Sequence, residues 1–364
     1  MRIVIHGATN GTNFGDILFG HLFYRKCQQV GHVDVDFLNM RKYGIGNFLR
    51  RELDYSRKLS AKDYLKADML VMMSGGYLGE DKVSWLLSIK RYFRYILPAR
   101  LFQLQNKPVL ILGAGGGPID RGFLRRATVR LLNKAALVHV RDEETRDYFV
   151  RYGVKRDMVV TSDTAQVITK ECVPELQDEE LRQFCNERKV IFVHAVTGAA
   201  DEKFAEIVIP ALNRFLADHA EYGVVFGSDE WYSHKTMTEL KSYQALKAKH
   251  IRLAVYRSSW QLCALLSNVD FVVTAKLHVG IVSASIAKSV VSFPIHREKT
   301  QRYYRQIGEE NRSIHLSKAT QEQAYALLNR YHDVPIILSE EIRKKASMNL
   351  EAIGEYIAGC DFGD

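Results

Sequence analysis

Residues 270–287 read Asp270-Phe271-Val272-Val273-Thr274-Ala275-Lys276-Leu277-His278-Val279-Gly280-Ile281-Val282-Ser283-Ala284-Ser285-Ile286-Ala287. The β-branched and aromatic run from Phe271 to Thr274 predicts a buried strand, and the small residues after Leu277 predict a helix that presses closely onto a sheet. Between the two, Lys276 and His278 stand at the mouth of a helix N-terminus, where free backbone N–H groups and the helix dipole favour an anion. Strand, turn and helix in this order form the unit of a parallel α/β fold.

The same unit recurs on both sides. In the first half, strands are predicted over Arg2 to His6, Met69 to Met73, Val109 to Leu112 and Leu137 to Val140. In the second half they are predicted over Val190 to His194, Tyr222 to Phe226, Ile251 to Val255, Phe271 to Thr274 and Val290 to Phe293. The pattern loosens through Ser162-Asp163-Thr164-Ala165 into an acidic helix over Gln177 to Arg188, which places an interdomain hinge there. After Ser317 the chain reads as mostly helical. The expectation is an α/β fold of two Rossmann-like domains facing a cleft. An N-terminal domain covers residues 1–170, a hinge 171–188, and a C-terminal domain with C-terminal helices 189–364. Strand ends and the helix N-termini that follow them would line the cleft.

Composition bounds the function more loosely. At 364 residues the chain exceeds what one core usually serves. A net charge of +9 suits phosphorylated substrates, nucleic acid or an anionic membrane face without choosing among them. Neither an RNA-recognition motif nor a helix-turn-helix pattern is present, so nucleic acid is not an expected partner. The five cysteines are scattered and lack CxxC spacing, which argues against a disulfide framework and against zinc. No metal is expected. Met1-Arg2-Ile3-Val4-Ile5 runs directly into a strand, and no apolar run reaches ~20 residues, so the expected location is cytoplasmic.

Three glycine-rich turns are expected after first-half strands, at Gly7 to Asp16, Ser74 to Gly79 and Gly113 to Pro118. Glycines let backbone amides approach a ligand closely. None is a P-loop, because no Gly-Lys-Ser/Thr follows, and Pro118 stands where the dinucleotide fingerprint needs its last glycine. Asp16 falls where the first helix begins, so it is either an N-cap or a catalytic residue. Arg141 ends a strand, where its planar fork matches a carboxylate or phosphate in the cleft. Asp142 and Glu143 behind it read as acids at a helix N-terminus. Asp34-Val35-Asp36 has the Asp-x-Asp form of a metal site, but its alternation reads as a strand with one wet face. His194, His234 and Asp229 near second-half strand ends could meet an acceptor, with no metal-ligand spacing. The stretch from Lys90 to Phe102 mixes cations with aromatics, as an interfacial helix or a first-domain helix with snorkelling basic residues would.

Taken in order, Asn13-Phe14-Gly15-Asp16, Ser74-Gly75-Gly76, Gly113-Ala114-Gly115-Gly116-Gly117-Pro118-Ile119, Arg141-Asp142-Glu143-Glu144-Thr145, Ser162-Asp163-Thr164-Ala165, Lys276-Leu277-His278 and Arg297-Glu298-Lys299 resemble the motifs of the polysaccharide pyruvyl transferase family. The resemblance spans nearly the whole chain. It implies a glycosyltransferase-B-like fold and transfer of a carboxyethylidene (pyruvyl ketal) group from phosphoenolpyruvate to a sugar of a surface polysaccharide, an exopolysaccharide or a lipid-linked precursor. It further implies that Arg141 and Lys276-Leu277-His278 surround the donor; beside Arg141, Lys276 and Leu277, the residues Lys299, Gly115 and Gly116 are the other donor-binding candidates. The chain carries Lys276 where the family pattern has arginine, a point charge in place of a bidentate fork.

His278 is the candidate acid that protonates the donor's methylene carbon, and Asp16 or Asp163 the candidate base for the attacking hydroxyl. Phosphoenolpyruvate enters as donor substrate, with no further cofactor. A glycan or lipid-linked sugar is the acceptor, the lipid-linked one if the Lys90 to Phe102 segment makes peripheral contact with the inner face of a membrane, and the oligomeric state is left open. Two alternatives stand beside this: a glycosyltransferase-B enzyme using a nucleotide sugar, with Glu298 as a ribose-binding acid, and a non-catalytic sugar- or phosphate-binding relative.

Overall fold

The structure is a computed structural model, and it describes residues 1–8, 11–30, 34–37, 48–54, 61–80 and 84–360. Thr9 and Asn10 of the first predicted glycine turn lie outside the described residues. The chain divides into two compact units. One consists of Met1–Thr12, Asp16–Thr164 and Glu340–Asp364, the other of Asn13–Gly15 and Ala165–Ser339.

The sheet of the first unit contains β1 (Arg2–His6), β2 (Asp34–Phe37), β3 (Met69–Met72), β4 (Gly75–Glu80), β5 (Val109–Ile119), β6 (Leu137–Val140) and β7 (Val159–Val160). Its order is β2-β1-β3-β5-β6-β7, all pairings are parallel, and β4 pairs with the far half of β5. Ile3, Val4 and Ile5 are fully buried, as continuous apolar strands of a covered parallel sheet must be.

The predicted glycine turns at 74–79 and 113–118 are corrected here. Both are largely strand: β4 continues beyond β3, and β5 runs on through the glycines beside it, with Gly75 opposite Ala114 and Leu78 opposite Gly116. Glycine carries no side-chain period, so an extended glycine run looks like a turn in sequence. One position does need glycine for its backbone. Gly113 has φ 68 and sits where the β5–β6 register shifts between Ile111 and Ala114.

The second unit carries β8 (Lys189–His194), β9 (Tyr222–Gly227), β10 (Ile251–Ala254), β11 (Phe271–Thr274) and β12 (Ser289–Ser292), in the parallel order β10-β9-β8-β11-β12. Phe204, Phe215, Val193 and Phe271 are among its fully buried core. Gly280 in the helix after β11 would bring a Cβ to 2.9 Å from the Tyr304 hydroxyl, which is why that helix needs small residues.

Two domain boundaries also change. The acidic helix, Glu179–Glu187, is no hinge: Leu181 and Phe184 are buried, and the Phe184 ring lies 2.7 Å from where a Cβ on Gly223 of β9 would stand. It is packed onto the second unit. The C-terminal helix, Glu340–Gly359, belongs instead to the first unit, where fully buried Asn349 exchanges hydrogen bonds with Thr161 (3.0 Å), the Ser162 carbonyl (3.0 Å) and Thr164 (3.0 Å). Satisfied buried amides of this kind fix a segment to one partner. No helix among the described residues is long and apolar enough to cross a membrane.

Candidate active site

In the first unit the site begins at the C-terminal end of β6. The Arg141 N–H extends the ladder to the Ala114 carbonyl at 3.1 Å, and its side chain is 8% exposed. The guanidinium occupies the space that a side chain on Gly115 would fill, with Nε 2.5 Å from an ideal Cβ position. Asp142 and Asp163, both buried, each place a carboxylate oxygen 3.6 Å from it. Asp142 is also the N-cap of the helix Glu143–Arg151, accepting the Thr145 N–H at 2.7 Å, as its position predicts.

Gly116 plays a packing part. Its N–H donates to the Thr145 hydroxyl at 3.0 Å, and a Cβ there would collide with the Phe149 ring. Asp163 is 4% exposed, and its neighbour Thr164 joins Ser74 at 2.5 Å. Asp16 lies inside the first turn of the helix Phe14–Gln29, half-buried, two residues past the helix start and so not at the cap position.

In the second unit, Thr274 shapes the turn after β11: its hydroxyl accepts the Lys276 N–H at 3.0 Å and donates to the Lys276 carbonyl at 3.3 Å. Lys276 is then the N-cap of the helix Leu277–Ser285, with Leu277 and His278 half-buried in its first turn. The His278 ring fills the space left by the absent side chain of Gly15, a residue of this unit.

Lys276 does not present a bare cation. Its ammonium donates to Glu230 at 2.8 Å and lies 3.6 Å from Asp229. Burial alone would lower its pKa, but Asp229 and then Glu230 outweigh burial and hold it above the ordinary lysine value. Asp229 is 2% exposed and accepts the His194 Nε2–H at 2.9 Å. Burial pushes its pKa up, yet His194, Lys276 and His278 together leave it below the usual carboxylate range. The backbone carbonyl of Asp229 also receives the Phe14 N–H at 2.9 Å. Lys299 is exposed in the first turn of the helix Arg297–Gln306. Among the described residues, no group of three or more His, Cys, Asp or Glu side chains could hold a metal ion.

The sequence profile described as "Polysaccharide pyruvyl transferase" matches residues 13–297. The matched range takes in every side chain placed above at Arg141, Asp163, Asp229, Lys276 and His278. The chain belongs to the polysaccharide pyruvyl transferase family.

No curated protein sequence matches this pyruvyl transferase family member. Solved structures similar to it include S. aureus MnaA in a co-structure with UDP (12% identity, 100% of this chain and 98% of that one, TM-score 0.64). UDP-GlcNAc 2-epimerase from Neisseria meningitidis bound to UDP-GlcNAc is similar at 11% identity over 99% and 100% of the two chains, TM-score 0.64. The Methanocaldococcus jannaschii UDP-GlcNAc 2-epimerase with UDP-GlcNAc and UDP gives 13% identity, 99% and 100% coverage, and TM-score 0.61. At these identities the likeness shows the fold, a two-sheet α/β architecture of glycosyltransferase-B type.

This family member also holds a cluster that the sequence reading passed over. His6, fully buried at the end of β1, lies 3.2 Å from the Tyr95 carbonyl through Nε2. A carbonyl only accepts, so Nε2 carries the hydrogen and Nδ1 is an acceptor, buried and without a partner among the described residues. Tyr95 belongs to a π-helical turn, Tyr92–Ile96, and stacks on Tyr77 with centroids 5.0 Å apart. Burial raises both tyrosine pKa values; Asp16 adds to the rise at each, and Arg94 opposes it at Tyr95. A polar residue ending an apolar strand of a parallel sheet was the available signal, since ligands bind at those ends.

Proposed function

We propose that the protein transfers a carboxyethylidene group from phosphoenolpyruvate to two hydroxyls of one sugar in a surface polysaccharide or its lipid-linked precursor. The observation that carries this reading is Arg141: a buried planar cation at a strand end, seated over Gly115, with two acids at 3.6 Å. The planar guanidinium matches the paired oxygens of a donor carboxylate or phosphate.

In this reading His278 gives a proton to the donor's methylene carbon, which becomes a methyl group, and C2 takes the electron pair of the first sugar hydroxyl. The second hydroxyl then forms the other C2–O bond as the C2–O bond to phosphate breaks. Of the two protons released by the hydroxyls, one replaces the proton lost by His278 and one leaves with phosphate. Asp16 is the base we favour, because Asp163 is buried against Arg141 whereas Asp16 is half-buried beside Tyr77 and Tyr95. Arg141 compensates charge on the leaving phosphate. Lys276, already compensated by Glu230 and Asp229, orders the turn that carries His278.

The test is incubation with phosphoenolpyruvate and a panel of glycosides, following phosphate release and the acceptor's mass. Gain of one carboxyethylidene group with stoichiometric phosphate supports the reading, and His278→Ala should abolish it. Absence of phosphate release with every acceptor would sink it.

A second reading, transfer from a nucleotide sugar, draws on a cavity of about 490 Å³ within the second unit, bordered by Ser228, His234, Tyr256, Arg257, Leu262 and Leu265. That volume accommodates a nucleotide. Saturable binding of a nucleotide sugar, without phosphate release from phosphoenolpyruvate, would favour it.

A further inference from the structure

The helical run from Ser84 to Leu104 leaves large apolar side chains in water. Trp85 is 57% exposed, Leu86 65%, Leu87 41% and Phe93 60%. Scattered single exposures need no explanation, but four within nine positions of one helical segment do. The run is firmly seated on its other side: Ser88, Ile96, Ala99 and Phe102 are buried, and Arg91 donates to the Gly79 carbonyl at 2.5 Å. Its outward side is therefore presented by a fixed element.

Charge identifies the occupant. From Ser84 to Leu104 the chain carries Lys90, Arg91, Arg94 and Arg100 and no aspartate or glutamate. Lys90 and Arg94 are exposed, and they follow Leu86 at successive four-residue steps, so they flank the stripe formed by Trp85 and Phe93. A tryptophan and a phenylalanine beside long basic side chains match the boundary between headgroups and acyl chains, where aromatic rings settle and cations meet anionic lipid. No helix among the described residues crosses a bilayer, so the segment would lie along its surface.

We infer that the Trp85–Arg94 face docks the protein onto an anionic membrane surface. This goes beyond the proposed transfer reaction and does not depend on the identity of the donor.

The test is co-sedimentation of the full chain with phosphatidylcholine vesicles, with and without about one third phosphatidylglycerol. The protein should pellet with the anionic vesicles and be released by salt. Each basic residue near such a surface contributes roughly fivefold, so Lys90→Glu with Arg94→Glu should lower the partition coefficient more than tenfold. Trp85→Ser with Phe93→Ser should also release the protein, with an unchanged circular dichroism spectrum and melting temperature. Failure of the wild-type chain to pellet with anionic vesicles, or equal pelleting of both double variants, overturns the inference. So does a shift from dimer to monomer in light scattering on Trp85→Ser/Phe93→Ser without loss of vesicle binding, because the face would then belong to a second copy. Phosphate release measured without vesicles stays as in the wild type for both double variants, which separates this face from the reaction.

Discussion

Lys276 and Glu230 hold each other at 2.8 Å across 46 positions of sequence, and Asp229 stands 3.6 Å from the same ammonium. A cation so compensated attracts a second anion far less than a bare lysine would. Glu230→Gln keeps a hydrogen-bond acceptor and removes a charge. Phosphoenolpyruvate should then bind about two- to fivefold more tightly, the range of a partly exposed ion pair. Calorimetric titration reads this directly; weaker binding would instead mean that Glu230 aims Lys276 at the donor. Lys276→Met should cost stability, about 1–3 kcal/mol in urea unfolding, because buried Asp229 loses a partner.

Gly115 exists for Arg141. A Cβ there would lie 2.5–2.8 Å from three guanidinium atoms, and the atoms met are the far end of a flexible side chain. Gly115→Ala should therefore displace the guanidinium and leave the strand in place. Donor affinity should fall about tenfold or more, as for a lost charge-assisted hydrogen bond, with a stability change within about 1.5 kcal/mol. A parallel titration and thermal melt distinguish this from general unfolding, which would lower both.

His6 sets an acid limit on the first unit. Burial lowers its pKa, a hydrogen bond to the Tyr95 carbonyl partly restores it, Arg94 lowers it again, and the result is about 4. An unfolded histidine titrates near ~6.5, so between those values the unfolded chain binds a proton that the folded chain refuses. The contribution is complete above about pH 6.5 and declines as pH falls toward 4, by roughly 3 kcal/mol in total. His6→Gln, which keeps an N–H for the Tyr95 carbonyl, should flatten the pH dependence of urea unfolding in that window by one proton. An unchanged slope would place His6 in contact with water.

How much of this was legible in the sequence depends on whether the signal was local. β1, β6 and β11 coincide with their predicted ranges because apolar, β-branched runs that are buried on both faces announce themselves. The Asp142 cap and the Lys276-Leu277-His278 turn were legible for the same reason, since a cap is read three residues away. The glycines of β4 and β5 were misread because an extended glycine has no side chain to show a period. The partners of Lys276 lie after β9, and nothing near residue 276 encodes them. His6 offered one clue, a polar side chain closing an apolar strand, and the glycine-rich turn beside it drew the reading away.

The C-terminal helix was the largest misplacement, and Asn349 gives the physical reason. An asparagine in a helix reads as a solvent-facing residue, yet here its amide is fully buried among Thr161, the Ser162 carbonyl and Thr164, next to the Ser74–Thr164 contact and the backbone of Gly113. These residues also neighbour Asp163, which faces Arg141. Asn349→Leu would keep the volume and remove the three hydrogen bonds that this amide makes, which should destabilise the first unit by about 2–4 kcal/mol. Asn349→Asp would substitute acceptors for the N–H donors that the Ser162 carbonyl requires and should be at least as costly. Hydrogen exchange read separately over residues 1–164 and 189–339 supplies the check: protection should fall in the first range and hold in the second. Equal loss in both would mean that the helix stabilises the chain as a whole, and loss confined to 189–339 would return it to the second unit.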